Sequence, residues 1–128
     1  MRELLIGRWK ADRIIRHRDW GADCFFTGSA EIAVDSFEET GELSIGSSTV
    51  SSRRYYRVQG SAKNYEIRFP DGRLFINLND TPLQHVHHRC GEDDYRGRFI
   101  FKRDAWTERW AVIGPRKQYH SVTKFTRI

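Results

Sequence analysis

From Tyr95 to Lys102 apolar and charged side chains alternate, with Tyr95, Gly97, Phe99 and Phe101 on one side of an extended chain and Arg96, Arg98 and Lys102 on the other. A period of two marks a β-strand with one face buried and one in water, whereas a helix would repeat every 3.6 residues. The pattern recurs between short turn signals along the whole chain. Ten strands follow from it: Arg8–Arg18, Asp23–Val34, Phe37–Ile45, Val50–Val58, Tyr65–Phe69, Leu74–Leu78, Leu83–Cys90, Tyr95–Lys102, Trp106–Ile113 and Tyr119–Arg127. Met1–Ile6 has room for one helical turn before the first strand. Turns are expected at Asp19-Trp20-Gly21, Gly46-Ser47, Gln59-Gly60-Ser61, Asn79 to Pro82, Gly91 to Asp94 and Gly114-Pro115. The sharpest hairpin signal is Pro70-Asp71-Gly72, because Asp-Gly readily takes the positive φ values of a tight turn.

Links this short force neighbouring strands to be antiparallel, since a parallel pair needs a long crossover. A flat ten-stranded sheet would expose two edges. Rolling it until the first and last strands pair removes them, so the expected fold is all-β, a single closed antiparallel barrel occupying 1–128 as one domain. Aromatic residues, 13% of the chain, are spread over its length, which argues against disorder. The net charge of +5 permits contact with phosphates, yet no basic run exceeds Arg53-Arg54 or Arg116-Lys117. Such scattering disfavours nucleic acid as a partner. With no stretch of eighteen apolar residues and no signal-peptide core, the expectation is a soluble cytoplasmic protein with no membrane contact. Cys24 and Cys90 are then expected as reduced thiols. The pattern sets no oligomeric state.

Alternation sends some charges inward. The inward sets include Trp9, Ala11, Arg13, Ile15 and His17 of the first strand and Phe37, Glu39, Gly41 and Leu43 of the third. Those of the last two are Trp106, Glu108, Trp110 and Val112, then Tyr119, Ser121, Thr123, Phe125 and Arg127. The fourth and seventh strands are too polar on both faces to orient. A lone buried charge costs several kcal/mol, so Arg13, Glu39, Glu108 and Arg127 must pair, bind water or meet a ligand. Two outcomes follow: Arg–Glu pairs that satisfy each other across the interior, or a wet cavity in which Arg13 receives an anion.

Gly7-x-Trp9 at the start and Arg127 at the end resemble the calycin pattern of lipocalins and fatty-acid-binding proteins, in which the last-strand Arg lies over the Trp at the barrel's closed end. The chain as a whole resembles a family of small bacterial proteins catalogued as domain-of-unknown-function family 6314. Carrying that resemblance are Gly7-x-Trp9, Glu39-x-Gly41, Phe69-x-Asp71-Gly72-Arg73, His88-x-Cys90-x-x-Asp93-x-Tyr95, Gly114-Pro115-Arg116-Lys117 and Arg127. It implies a calycin-like barrel and no activity.

The expected function is binding of a small anionic or amphipathic molecule in a partly polar central cavity. Its candidate ligand-binding residues are Arg13, Glu39, Tyr55, His88, Cys90, Tyr95, Glu108, Trp110, Lys117, Tyr119 and Arg127, with Trp106 as a further wall residue. The alternative is an enzyme using His88, Cys90 or Tyr95, since a Cys–His pair can furnish a nucleophile. His85 and His87 share one face of a strand and His88 and Cys90 the other, so no three converge as metal ligands. No metal and no cofactor are expected. Gly114 to Lys117 reads as a tight turn with two solvated charges, or as a clamp for a phosphate or carboxylate at the barrel mouth.

Overall fold

The computed structural model describes residues 2–19, 21–61 and 63–128. A four-residue helix, α1 (Arg2–Leu5), precedes ten strands: β1 (Gly7–His17), β2 (Cys24–Ile32), β3 (Ser36–Ile45), β4 (Ser48–Ser61), β5 (Asn64–Arg68), β6 (Leu74–Leu78), β7 (Leu83–Cys90), β8 (Asp93–Phe101), β9 (Ala105–Gly114) and β10 (Lys117–Arg127). The fold is all-β, an antiparallel ten-stranded barrel that is nearly closed. Met1 and the Trp20 of the first expected turn lie outside the described residues.

The strand order is β6-β5-β4-β3-β2-β1-β10-β9-β8-β7. First and last strands pair as expected, from Trp9 opposite Arg127 to His17 opposite Tyr119. The ends of the order are β6 and β7, so the junction without a ladder lies mid-chain. Side chains cover it. The His88 ring meets Phe75 at 5.1 Å and Phe69 at 5.6 Å. The Gln84 amide accepts from Asn79 N at 2.8 Å and donates to the carbonyls of Asn79 and Thr81 at 3.0 and 2.8 Å. Gln84 thereby ties down the segment from Asn79 to Pro82.

Two turns merit comparison with the sequence. Asp71-Gly72 behaves as expected, with Gly72 at φ 93° and its N–H donating to the Phe69 carbonyl at 2.8 Å. By contrast β4 does not stop at Val58: it runs through Gln59-Gly60-Ser61, with Gly60 opposite Tyr65. Gly60 sits at φ 102°, which lets the strand bend and keep its ladder rather than turn.

The interior has two parts. Near the start of β1 the barrel is plugged by Trp9, Phe37, Phe99, Trp106 and Phe125, all buried. The Trp106 and Phe125 rings stack at 3.8 Å. Each such side chain contributes about 2–3 kcal/mol on burial, so this end carries the main apolar driving force. α1 seals it: Leu5 is buried and its carbonyl accepts the Trp9 indole N–H at 2.9 Å. A helix this short has no stability of its own and depends on that docking. Towards the other end Ile15, His17, Tyr95 and Tyr119 are only half-buried, and the barrel opens.

Candidate ligand-binding site

Between plug and mouth lies a layer of four charges from four strands. The Arg13 guanidinium (β1) donates to both carboxylate oxygens of Glu39 (β3) at 2.8 Å. Arg54 (β4) reaches Glu39 Oε2 at 3.1 Å and both oxygens of Glu108 (β9) at 2.9 and 3.1 Å. The Trp110 indole N–H donates to Glu108 at 2.7 Å, and Arg13 Nε donates to Thr123 Oγ1 at 2.6 Å. Two cations and two anions cancel, and each carboxylate accepts three bonds. Burial is the largest influence on Glu108 and pushes it up, but the Arg54 charge and hydrogen bonds, the Arg13 charge and the Trp110 N–H together outweigh it and hold this carboxyl below its usual range. Burial opposes the Arg54 charge too, and Glu108 and Glu39 together raise its pKa well above the ordinary value.

The layer stands on a packed support. Arg13 lies over the Phe26 ring, 4.9 Å from its centroid. That ring covers Gly28 and Gly41, which face each other across β2 and β3. A Cβ on either glycine would sit 2.8 Å from the tip of the Phe26 ring and closer still to the opposite backbone. Glycine here makes room for Phe26, and Phe26 carries Arg13.

Above the layer is an open cavity of about 620 Å³. Arg13, Arg54 and Ser121 form its floor, Ile15, His17, Tyr56, Phe75, Tyr95, Trp110 and Tyr119 its walls, and Arg116 and Lys117 its rim. Below it Phe75, Tyr56 and Trp110 partition off a deep apolar chamber of about 40 Å³. Two buried donors without a hydrogen-bond partner, Arg54 Nε and Trp106 Nε1, belong to residues lining that chamber. Burial raises the Tyr56 and Tyr119 phenols, so both stay protonated and can donate. Lys117 donates to Tyr95 Oη at 3.0 Å and lies 3.4 Å from Asp93, contacts that raise its pKa.

A family model described as a family of unknown function, DUF6314, matches residues 5–127. The chain belongs to this family. No curated protein matches it. Among solved structures it is similar to a protein of unknown function from the DUF3598 family of Nostoc punctiforme PCC 73102, with a TM-score of 0.67 and 10% identity. All of this chain is covered and 49% of that one, so the chain spans about half the length of that relative. At this identity the likeness concerns the fold alone.

In this DUF6314 protein Arg13, Glu39, Glu108, Trp110, Tyr95, Lys117 and Tyr119 gather around one cavity and its floor. Five expected residues stand elsewhere. Arg127 is at the opposite end, 4.2 Å over the Trp9 ring, with its guanidinium donating to the Leu4 and Ile6 carbonyls. Inward alternation was right for it, but the barrel has two ends. Tyr55 points outward beneath Arg53, 5.6 Å from its centroid, because β4 turns Arg54, Tyr56 and Val58 inward. Tyr56 takes the place expected of Tyr55. His88 packs behind the wall against Phe69, Phe75 and Tyr95. Cys90 is an exposed free thiol, and among the described residues no hydrogen bond joins it to His88. Trp106 lines the deep chamber, not the mouth.

Arg54 was missed because its strand could not be oriented from sequence. A signal was available: Arg54 and Tyr56 alternate with Val58, which must point inward. Among the described residues no group of three His, Cys, Asp or Glu could hold a metal. His87 instead pairs with Asp94, which Arg96 also contacts at 2.9 Å. No helix among the described residues is long and apolar enough to cross a membrane.

Proposed function

We propose that this protein binds a small anionic or amphipathic molecule in the mouth of the barrel. The observation behind this reading is the 620 Å³ cavity with guanidinium groups in its floor and Arg116 and Lys117 at its rim. A guanidinium has five N–H donors. Arg13 uses three, on Glu39 and Thr123, which leaves two for a ligand. Because the floor charges cancel, the attraction for an anion comes chiefly from the rim. Flat aromatic surfaces of Tyr95, Tyr119, Trp110 and Phe75 suit an apolar or aromatic body. The deep chamber has room for about one water molecule, not for an acyl chain, so a compact amphiphile fits better than a long lipid.

Anilinonaphthalene sulfonate, a compact aromatic anion, is a suitable probe, with phenylnaphthylamine as its uncharged counterpart. The anion should bind with enhanced fluorescence, and more tightly than the neutral compound. Arg116→Ala with Lys117→Ala should weaken it roughly tenfold, the loss of about one charge-assisted bond. Equal affinities for the two probes, or no effect of the double substitution, would remove the anionic preference. Native mass spectrometry of freshly purified protein should find a bound small molecule in the same mouth.

A further inference from the structure

The outer wall carries a second feature, independent of the mouth. Basic residues that are scattered along the chain come together on β7, β8, β9, β10 and β1. Arg98 stands opposite His85 on one side and Arg109 on the other. One row further on, Ala111 lies between Arg96 and His120, and Arg16 pairs beyond His120. A methyl side chain ringed by long cationic ones leaves a dip, and an open groove of about 720 Å³ runs there.

Carboxylates answer only part of this charge. Asp23 lies 3.3 Å from Arg16, and Asp94 contacts Arg96 and His87. Among the described residues Arg98 and Arg109 have no ion pair, although they face each other directly. Like charges opposite one another across an antiparallel pair destabilise it, so this placement works against folding unless an anion lies between them. The other half of the row is apolar. Arg109 is followed across the sheet by Val122, Ile14 and Phe25, and Ile14 and Phe25 are 39% and 47% exposed. With strands about 4.8 Å apart the row spans roughly 24 Å.

We infer that this groove binds single-stranded nucleic acid, its phosphates on Arg98, Arg109 and Arg96 and its bases against Val122 and Ile14, which line the same groove. Guanidinium groups match phosphate oxygens in a bidentate manner. A positively charged groove that tracks the backbone is one way unpaired strands are held without sequence readout. Arg96 and Arg98, two apart on β8, are about 6.8 Å apart, a spacing that successive phosphates of an extended strand can follow. A flat bilayer cannot reach the floor of a concave groove, and an acidic peptide would leave the apolar half of the row unused.

The test is fluorescence anisotropy of the purified chain with fluorescein-labelled mixed-sequence 12-nucleotide RNA and DNA in 50 mM salt. Saturable binding is expected. Affinity should fall with salt at a logarithmic slope near −2, for about three phosphates on a single strand. Arg98→Ala with Arg109→Ala should weaken binding at least tenfold, as should Ala111→Glu. All three positions are on the outer surface, and circular dichroism checks the fold. Arg53→Ala with Arg57→Ala, on a different wall, should change little. Absence of binding at 50 mM salt overturns the inference, as does an equal loss from the Arg53 and Arg57 pair. Equal competition by a hexaglutamate peptide or by phosphatidylserine vesicles also overturns it, by assigning the groove to an acidic protein or a membrane.

Discussion

Arg54 holds the buried charge layer together, because among the described residues it alone hydrogen-bonds to both carboxylates. Removing it leaves Glu108 with the Trp110 indole and Glu39 with Arg13. Truncating one partner of a buried ion network typically costs about 3–5 kcal/mol, far more than a surface pair. Arg54→Ala should therefore lower the urea midpoint by that equivalent, while Arg53→Ala, its exposed neighbour, should hardly move it. Glu108 adds a pH dependence. Its carboxyl is lower in the folded protein than the roughly 4.3 of an unfolded chain. Its contribution is complete above that value and is lost as pH falls through the folded value. Urea titrations from pH 7 to pH 3 should show stability declining below about pH 4.3, and Glu108→Gln should flatten that decline. The two thiols differ by position. Cys24 is buried, and burial raises its pKa, whereas Cys90 is exposed. Iodoacetamide should modify Cys90 in the native protein and reach Cys24 only after unfolding, as peptide mapping would reveal.

Strands β2 and β3 show why a glycine inside a strand can be structural. The Gly28–Gly41 pair lets Phe26 lie flat across the ladder, and Phe26 supports Arg13 beneath the mouth. Gly41→Ala must push Phe26 or the opposite backbone aside, an overpacking cost of about 1–3 kcal/mol. Equilibrium unfolding measures that cost, and affinity for the anionic probe reports whether Arg13 moves. The Glu39-x-Gly41 motif thus has a physical meaning: one residue supplies the charge and the other the space for its partner's support. Alternation oriented β1, β3, β8, β9 and β10 correctly because each has several large apolar residues on a single face. It could not orient β4 and β7. Tyr55 and Tyr56 are adjacent on β4, and the register that sets Arg54 opposite Glu39 shows which neighbour faces inward.

Across the barrel, hydrogen bonding is continuous through β1 and β10 and interrupted between β6 and β7. Edge N–H groups without a ladder partner exchange with solvent more readily than central ones. Amide exchange should therefore be fastest at the outer edges of β6 and β7 and slowest in β1 and β10, where both sides are paired. Uniform protection around all ten strands would mean that the junction closes in solution. The short β6 and the polar, outward His85, His87 and Arg89 of β7 guard those edges against pairing with another chain. The two interior compartments also depend on the whole molecule. The apolar plug near α1 closes one end, the charge layer crosses the middle, and only the other end is open.

Ten strands, their antiparallel order and the inward course of Arg13, Glu39 and Glu108 were legible in the linear pattern, because a period of two is a local property of extended chain. The pairing of first and last strands also followed, from the need to satisfy sheet edges. The partner of each charge was not legible. Arg13 meets Glu39 and Glu108 meets Arg54 because strands far apart in the chain curve round to face each other across a space about as wide as two side chains. Arg127 went to the closed end, and the scattered arginines of the outer wall became one groove, for the same reason. Alternation tells a side chain which face to take; the curvature and stagger of the closed sheet decide its height along the barrel and what stands opposite.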